Sequence, residues 1–290
     1  MVRVEALFEK RTSSVQYIVV DETTMHCAII DPVLDFNESS ASVRTSSADQ
    51  LLELIRAREY QLQWILDTHP HADHLSAAGY LQEKTGAPTA IGEKVTAVQT
   101  MWKEIYGLPD SFPTDGRQWD RLFADGERFE LGRSSIDVML SPGHTLASVT
   151  YLVDDVAFIH DTLFMPDVGT ARADFPGGSA VDLWKSIQRI LALPDNTRLF
   201  TGHDYPPKDR EPAWESTVAQ QKAENVHLRK ARTVEEFVRL REERDKELPL
   251  PAQMLFALQV NIRGGRLPEP TAAERFLTIP VDAFPDATWE

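Results

Sequence analysis

The chain has 290 residues, 42% of them apolar, and carries 45 acidic against 30 basic side chains, a net charge of −15. That length supports a sizeable core, in one large domain or in a domain with an appendage. The charge argues against nucleic acid or an anionic membrane as the main partner, because both need a basic footprint. A single cysteine, Cys27, rules out an internal disulfide and points to an intracellular compartment. It lies in the apolar run Cys27-Ala28-Ile29-Ile30 and reads as a small buried strand residue, not a reactive thiol. No apolar stretch is long enough to span a bilayer and the first residues hold no apolar leader, so a soluble, cytoplasmic protein is expected.

Residues 2–9, 15–21 and 26–31 alternate or run β-prone and predict a meander of three strands. Asp31-Pro32 ends the third strand, and residues 35–47 read as a polar, Ser-rich loop. Ser47 is placed to cap a helix over 48–58, whose stripe is Leu51, Leu52, Leu54 and Ile55. A strand over 62–67 and a helix over 74–84 follow, the latter stopped at Thr85-Gly86. Next come a strand near 89–91, a helix over 94–106 and a loop or inserted lid over 107–126. Strands are predicted at 129–131, 136–140, 148–153 and 156–160, a helix at 180–191 and a strand at 197–200. Helical periodicity then covers 214–230, 233–246 and 252–261, and the Pro-rich remainder, 262–290, reads as an extended tail.

The stretch from Thr68 to His74 places His69, His71, Asp73 and His74 within six positions, directly after a strand. Imidazole nitrogens and carboxylate oxygens at that density suit a borderline-hard metal cation. Further ligand types recur at predicted strand ends: His144, Asp161 and His203. Loops beyond strand ends are where rigid strands can gather side chains from distant parts of a sequence. The other histidines, His26, His160 and His227, are expected to be structural, with His160 alternating away from Asp161.

Thr68 to His74, Pro142-Gly143-His144-Thr145, Asp161-Thr162-Leu163-Phe164 and Gly202-His203-Asp204-Tyr205 resemble, in this order, the motifs of the metallo-β-lactamase-fold superfamily. The resemblance covers about residues 1–230. It implies an α/β fold, an αβ/βα four-layer sandwich with the metal site at one edge of the sheets. Residues 1–230 would form the catalytic domain, and 231–290 a helical C-terminal extension and tail packed on it.

Two branches of that superfamily handle glutathione derivatives. In the glyoxalase II branch, a dinuclear thioester hydrolase using zinc or mixed metals, the resemblance implies that His69, His71 and His144 hold one ion. Asp73, His74 and His203 would hold the other, with Asp161 bridging. In the persulfide dioxygenase branch it implies one Fe(II) per chain on His69, His144 and Asp161, with glutathione persulfide and O2 as substrates. His71, Asp73, His74 and His203 would then support that site or mark a second one. The segment Arg172-Ala173-Asp174-Phe175 resembles the dioxygenase pattern and favours that branch. Arg172 either anchors a substrate carboxylate or pairs with Asp174 to fix its own loop. Tyr205 either reaches the substrate or only walls the site.

Two departures from the family patterns stand out. His160 occupies a position where many hydrolases have glycine, and Thr170 one where some dioxygenases have cysteine. The helical extension resembles that of glyoxalase II, and Arg229 and Lys230 on it read either as a glutathione contact or as a solvated basic helix end. Met254, Leu255, Phe256 and Leu258 suggest a contact between copies in a homo-oligomer, expected as a dimer. A non-catalytic adaptor on the same fold is the remaining reading, and the filled ligand positions speak against it.

Overall fold

The computed structural model describes residues 1–271 and 274–288. The expected meander forms as β1 (Val2–Glu9), β2 (Ser14–Asp21) and β3 (His26–Ile30), paired antiparallel. Every residue of β2 is buried, which is why its sequence reads as an unbroken apolar run with little alternation. Residues 35–47, expected as loop, instead hold a hairpin of β4 (Val33–Asn37) and β5 (Ser42–Arg44). Its apolar pattern, Val33-Leu34-x-Phe36, is too short to stand out from the polar surroundings.

Helix α1 (Ser46–Ala57) has no side-chain cap. Ser47 does not cap it: its hydroxyl donates to Asp35 Oδ1 at 2.6 Å. β6 (Gln61–Leu66) runs parallel to β3 and leads to the histidine cluster. The helix expected at 74–84 starts later, because Leu75–Ser76 (β7) first pairs with β4, and α2 (Ala78–Thr85) follows. β8 (Thr89–Gly92) and α3 (Val95–Ile105) come next. Residues 107–126 are not a lid. They contribute Arg121–Phe123 (β9) to the sheet edge and bury Trp119.

The second sheet begins with β10 (Arg128–Leu131), β11 (Ser134–Leu140), β12 (Val149–Val153) and β13 (Val156–His160). Helix α4 (Ala180–Leu191) leads to β14 (Arg198–Thr201), which pairs parallel with β13. The helix expected over 214–230 is shorter. Glu215–Thr217 (β15) pairs with β14, and Thr217 opens a capping box with Gln220 that starts α5 (Val218–Glu224). The chain closes with α6 (Val234–Asp245) and α7 (Met254–Asn261). The expected tail includes residues 272, 273, 289 and 290, which lie outside the described residues.

The two six-stranded sheets have the orders β1-β2-β3-β6-β8-β9 and β10-β11-β12-β13-β14-β15. Between them Tyr17, Val19, Ala28 and Leu66 meet Phe129, Val138, Tyr151, Phe158 and Phe200. On the outer face of the first sheet Ile18, Val20 and Ile29 pack under α1, α2 and α7 through Leu51, Leu81 and Val260. On the outer face of the second, Ala157, Ile159 and Leu199 pack under α4, α5 and α6 through Ile187, Val218 and Phe237. The result is the four-layer αβ/βα sandwich. Each fully buried aliphatic or aromatic side chain contributes about 1.5–3 kcal/mol of transfer free energy. Met254 and Leu258 are spent in this chain's own core, so they are not free for a contact between copies. Among the described residues no helix is long and apolar enough to cross a membrane.

Candidate metal centre

The strand ends converge as the sequence implies. His69 follows β6, and its orientation is set by a short relay. Thr68 Oγ1 donates to Asp31 Oδ2 at 2.8 Å and lies 3.0 Å from His69 Nδ1. With the hydroxyl proton committed to Asp31, the oxygen accepts from Nδ1–H, leaving the lone pair on Nε2. His144 follows β11, where Gly143 at φ +138° lies against α4; a Cβ there would come within 2.2 Å of the Leu183 backbone. The His144 Nδ1–H donates to the Arg172 carbonyl at 3.0 Å, again freeing Nε2. Asp161 follows β13 and packs on Gly202, where a Cβ would stand 2.6 Å from Oδ1.

These residues form two adjoining groups. His69, His144 and Asp161 bring one ligand atom each to within 4.8 Å of one another, as do His71, Asp73, His74 and His203. Asp161 Oδ2 lies between them, 3.6 Å from His144 Nε2 and 3.5 Å from His203 Nε2. In the second group His74 Nδ1 donates to Asp73 Oδ2 at 2.9 Å, and the Ser14 hydroxyl donates to the same oxygen at 3.3 Å. A third group, Asp31, Asp67 and His71, lies alongside. His71 Nε2 is 3.0 Å from Asp31 Oδ1.

The electrostatics fit a cation. Burial, reinforced by the surrounding imidazoles, pushes His69 well below its usual value, and burial likewise lowers His144 and His74. All three are therefore neutral donors at pH 7. His71 differs: burial would lower it, but Asp31 overrides this and raises it to about 9. Nε2 of His69 and His74, Nδ1 of His71, both ring nitrogens of His203 and Oδ1 of Asp161 are buried without hydrogen-bond partners. Buried polar atoms left unpaired cost about 1–3 kcal/mol each, and a metal ion would satisfy several at once.

A cleft of about 700 Å³ opens beside both groups, lined by His144 and Asp161 of the first and Asp73 of the second. Its walls include Phe164, Phe175, Tyr205 and the segment from Leu248 to Gln253. Tyr205 is 48% exposed and stacks on His203, with ring centroids 5.8 Å apart. Arg172 also lines the cleft, with its guanidinium engaged. Nε and Nη2 donate to Asp174 at 2.7 and 2.8 Å, and Nη1 donates to the Pro249 carbonyl at 2.6 Å. Arg229 and Lys230 are exposed and outside the cleft walls.

His160 sits in a left-handed backbone at φ +40°. Its Nε2 lies 2.9 Å from Ser141 Oγ and 3.0 Å from Thr162 Oγ1, and it joins neither group. His227 Nδ1 accepts from the Thr170 amide at 2.9 Å. Sequence reasoning passed over Asp31, Asp67, Ser14, Asp245 and Asn261. Asp31 carried a usable signal, since it ends β3, the parallel neighbour of the strand that delivers His69. Asn261 carried none.

Two sheets packed between helices, with a His/Asp metal-binding site where the strands end, define a metal-dependent enzyme fold. The chain belongs to the metallo-β-lactamase superfamily, whose description matches residues 11–203. A "Beta-lactamase hydrolase-like protein" of Xylella fastidiosa is 60% identical over 99% of this chain, which spans 66% of that relative's length. "Glyoxylase B2" of Dictyostelium discoideum is 45% identical, covering 92% of each chain. "Persulfide dioxygenase ETHE1, mitochondrial" of Bos taurus is 27% identical over 89% of this chain and 87% of its own. The crystal structure of ETHE1 from Myxococcus xanthus superposes with a TM-score of 0.72 at 28% identity, covering 91% of this chain and all of that one.

Proposed function

We propose that this protein is an iron(II)-dependent dioxygenase that oxidises the terminal sulfur of glutathione persulfide. The observation that carries this reading is the set of His69, His144 and Asp161, two imidazoles and a carboxylate gathered at an open cleft. Two neutral imidazoles and one carboxylate make a 2-His-1-carboxylate donor set, which leaves coordination positions vacant on one face. Ferrous iron held there would supply a redox-active centre accessible to both O2 and a sulfur anion. One persulfide, one O2 and one water then give glutathione, sulfite and two protons.

The protein's own residues prepare that site. Thr68 and the Arg172 carbonyl turn the lone pairs of His69 and His144 toward a common point. Phe164 and Phe175 form an apolar part of the cleft wall, and Tyr205, exposed on the same wall, would offer its hydroxyl to a substrate in this reading. Asp73 is engaged by His74 and Ser14, which supports a single metal. In this reading residues 1–230 carry the metal ligands, and 231–290, the extension packed on them, supplies part of the cleft wall. The similarity to the bovine persulfide dioxygenase over most of both chains supports the same reading.

The second reading, a two-metal thioester hydrolase, draws support from the unpaired nitrogens of His71, His74 and His203 and from the glyoxylase B2 relative. Metal analysis of anaerobically prepared protein, coupled to an oxygen-electrode assay with glutathione persulfide, separates them. Iron near one per chain with O2 uptake is expected. Zinc in place of iron, no O2 uptake and cleavage of an acyl-glutathione would overturn the first reading and establish the second.

A further inference from the structure

We infer that Asn261, at the end of α7, is a positioning residue of the metal centre. The inference rests on the metal-binding reading above but not on which metal is held or how many. Asn261 is 2% exposed, and its carboxamide is saturated by a single loop. Nδ2 donates to the carbonyl of His71 at 2.7 Å and to that of His74 at 2.8 Å, and Oδ1 accepts from the Ser76 amide at 2.7 Å. An amide offers two N–H donors and one carbonyl acceptor. All three functions are therefore spent on the segment that carries His71, Asp73 and His74.

That segment has little regular structure to hold it. Between the end of β6 at Leu66 and the two-residue β7 at Leu75 it makes no strand or helix. Buried carbonyls in such a loop must find donors, and Asn261 supplies one to each of two. These bonds span 190 and 187 residues of sequence. They fix the backbone on both sides of Asp73, and with it the direction in which the three side chains leave the loop. A ligand set must be held to about 0.5 Å to keep its geometry. The C-terminal helix is thus part of the scaffold of the site.

The same bonds would be present if Asn261 only docked α7 on the core, so the test must separate metal binding from stability. Gln259 provides the control. It lies on the same helix and bonds to Thr278 and Leu255, away from the ligands. Zinc affinity of the full chain, freed of metal and titrated against a competing chelator, is measured for wild type, N261D, N261A and Q259L, alongside thermal unfolding of each metal-free protein. N261D keeps the acceptor but turns an oxygen toward two carbonyls. N261A is milder, since water can enter to meet them, and it carries the test should N261D not fold.

The inference expects both Asn261 variants to lose roughly 10–100-fold in zinc affinity, the range typical of partners that orient ligands. Q259L should bind zinc as wild type does even where its melting temperature falls. Wild-type zinc affinity in a folded N261A protein, or an equal loss in Q259L, would overturn it. Wild-type protein that competes no better than the chelator blank would instead bring down the metal-binding reading itself, and this inference with it.

Discussion

Asp31→Asn tests whether the centre is held from behind. Asp31 sits at φ +51°, in the left-handed region that asparagine tolerates best among residues with a side chain, so the exchange removes charge without straining the backbone. The buried carboxylate accepts from the Thr68 amide at 2.7 Å and the Thr68 hydroxyl at 2.8 Å, and it faces His71 Nε2 at 3.0 Å. With its oxygen in place of Oδ1, an asparagine still serves the Thr68 amide and His71 and turns its NH2 toward the Thr68 hydroxyl; turned the other way it serves only that hydroxyl. If the NH2 faces His71, Nε2 must give up its proton to become the acceptor, and the ring, no longer held charged by Asp31, keeps one proton on Nδ1.

Hydrogen bonds to charged groups are worth about 1.5–3 kcal/mol each, so losing one or two of the three costs roughly 3 kcal/mol. For a chain of this size that lowers the melting temperature of the metal-free protein by roughly 6–12 °C. Metal affinity falls in parallel by about 10–100-fold, because both the Thr68 relay to His69 and the tautomer of His71 are disturbed. Thermal unfolding in chelator, followed by metal competition on the refolded protein, measures both. A melting temperature within about 2 °C of wild type, with unchanged affinity, would show that Asp31 does not support the centre.

Asp245→Asn should cost about 3–5 kcal/mol in denaturant unfolding, because it leaves the buried Arg241 guanidinium without its counter-charge. It also removes the charge from the acceptor of the Ala173 amide, next to the carbonyl that orients His144. His227 is pushed down to about 3 by burial and then by Arg241, Arg244 and Lys230, so the fold keeps it neutral while the unfolded chain protonates near 6.5. Its contribution is complete above about pH 6.5 and is lost as pH falls toward 3, by at most about 1.4 kcal/mol per unit. H227N, which keeps an acceptor for the Thr170 amide, should flatten that part of the stability–pH curve, and an unchanged slope would refute the assignment. Cys27 is fully buried and pushed up to about 12 by burial; a maleimide should label it only after unfolding, and rapid labelling of native protein would contradict this placement.

What was legible in the sequence is what local periodicity and ligand chemistry encode. The β1–β3 meander, the strands around His144 and Asp161, and α4 have bounds close to expectation because their apolar faces repeat over enough residues to register. The β4–β5 hairpin and β15 were missed because strands of three to five residues are defined by partners elsewhere in the chain. Tertiary pairing also moved the start of α2, since Leu75 and Ser76 bond to β4 before any helix can begin. The seven candidate ligands could be found because their residue types are uncommon at that density. Their supports could not: asparagine, serine and backbone carbonyls occur everywhere, and only the fold brings Asn261 to His71.

The difference between the two functional readings reduces to Asp73. For His74 to offer Nε2 to a metal, its proton must sit on Nδ1, and Nδ1–H is held by Asp73 Oδ2. The bond that readies one ligand of the second group therefore occupies an oxygen of another, and Ser14 adds a second donor to the same atom. A second ion would have to use the other oxygen of Asp73 together with the neighbouring imidazoles. The first group carries no such conflict, since the Nδ1 atoms of His69 and His144 are held by Thr68 and the Arg172 carbonyl, neither of which is a ligand. An ion at His69, His144 and Asp161 therefore displaces no hydrogen bond, and on these grounds it should bind first whichever chemistry the protein performs.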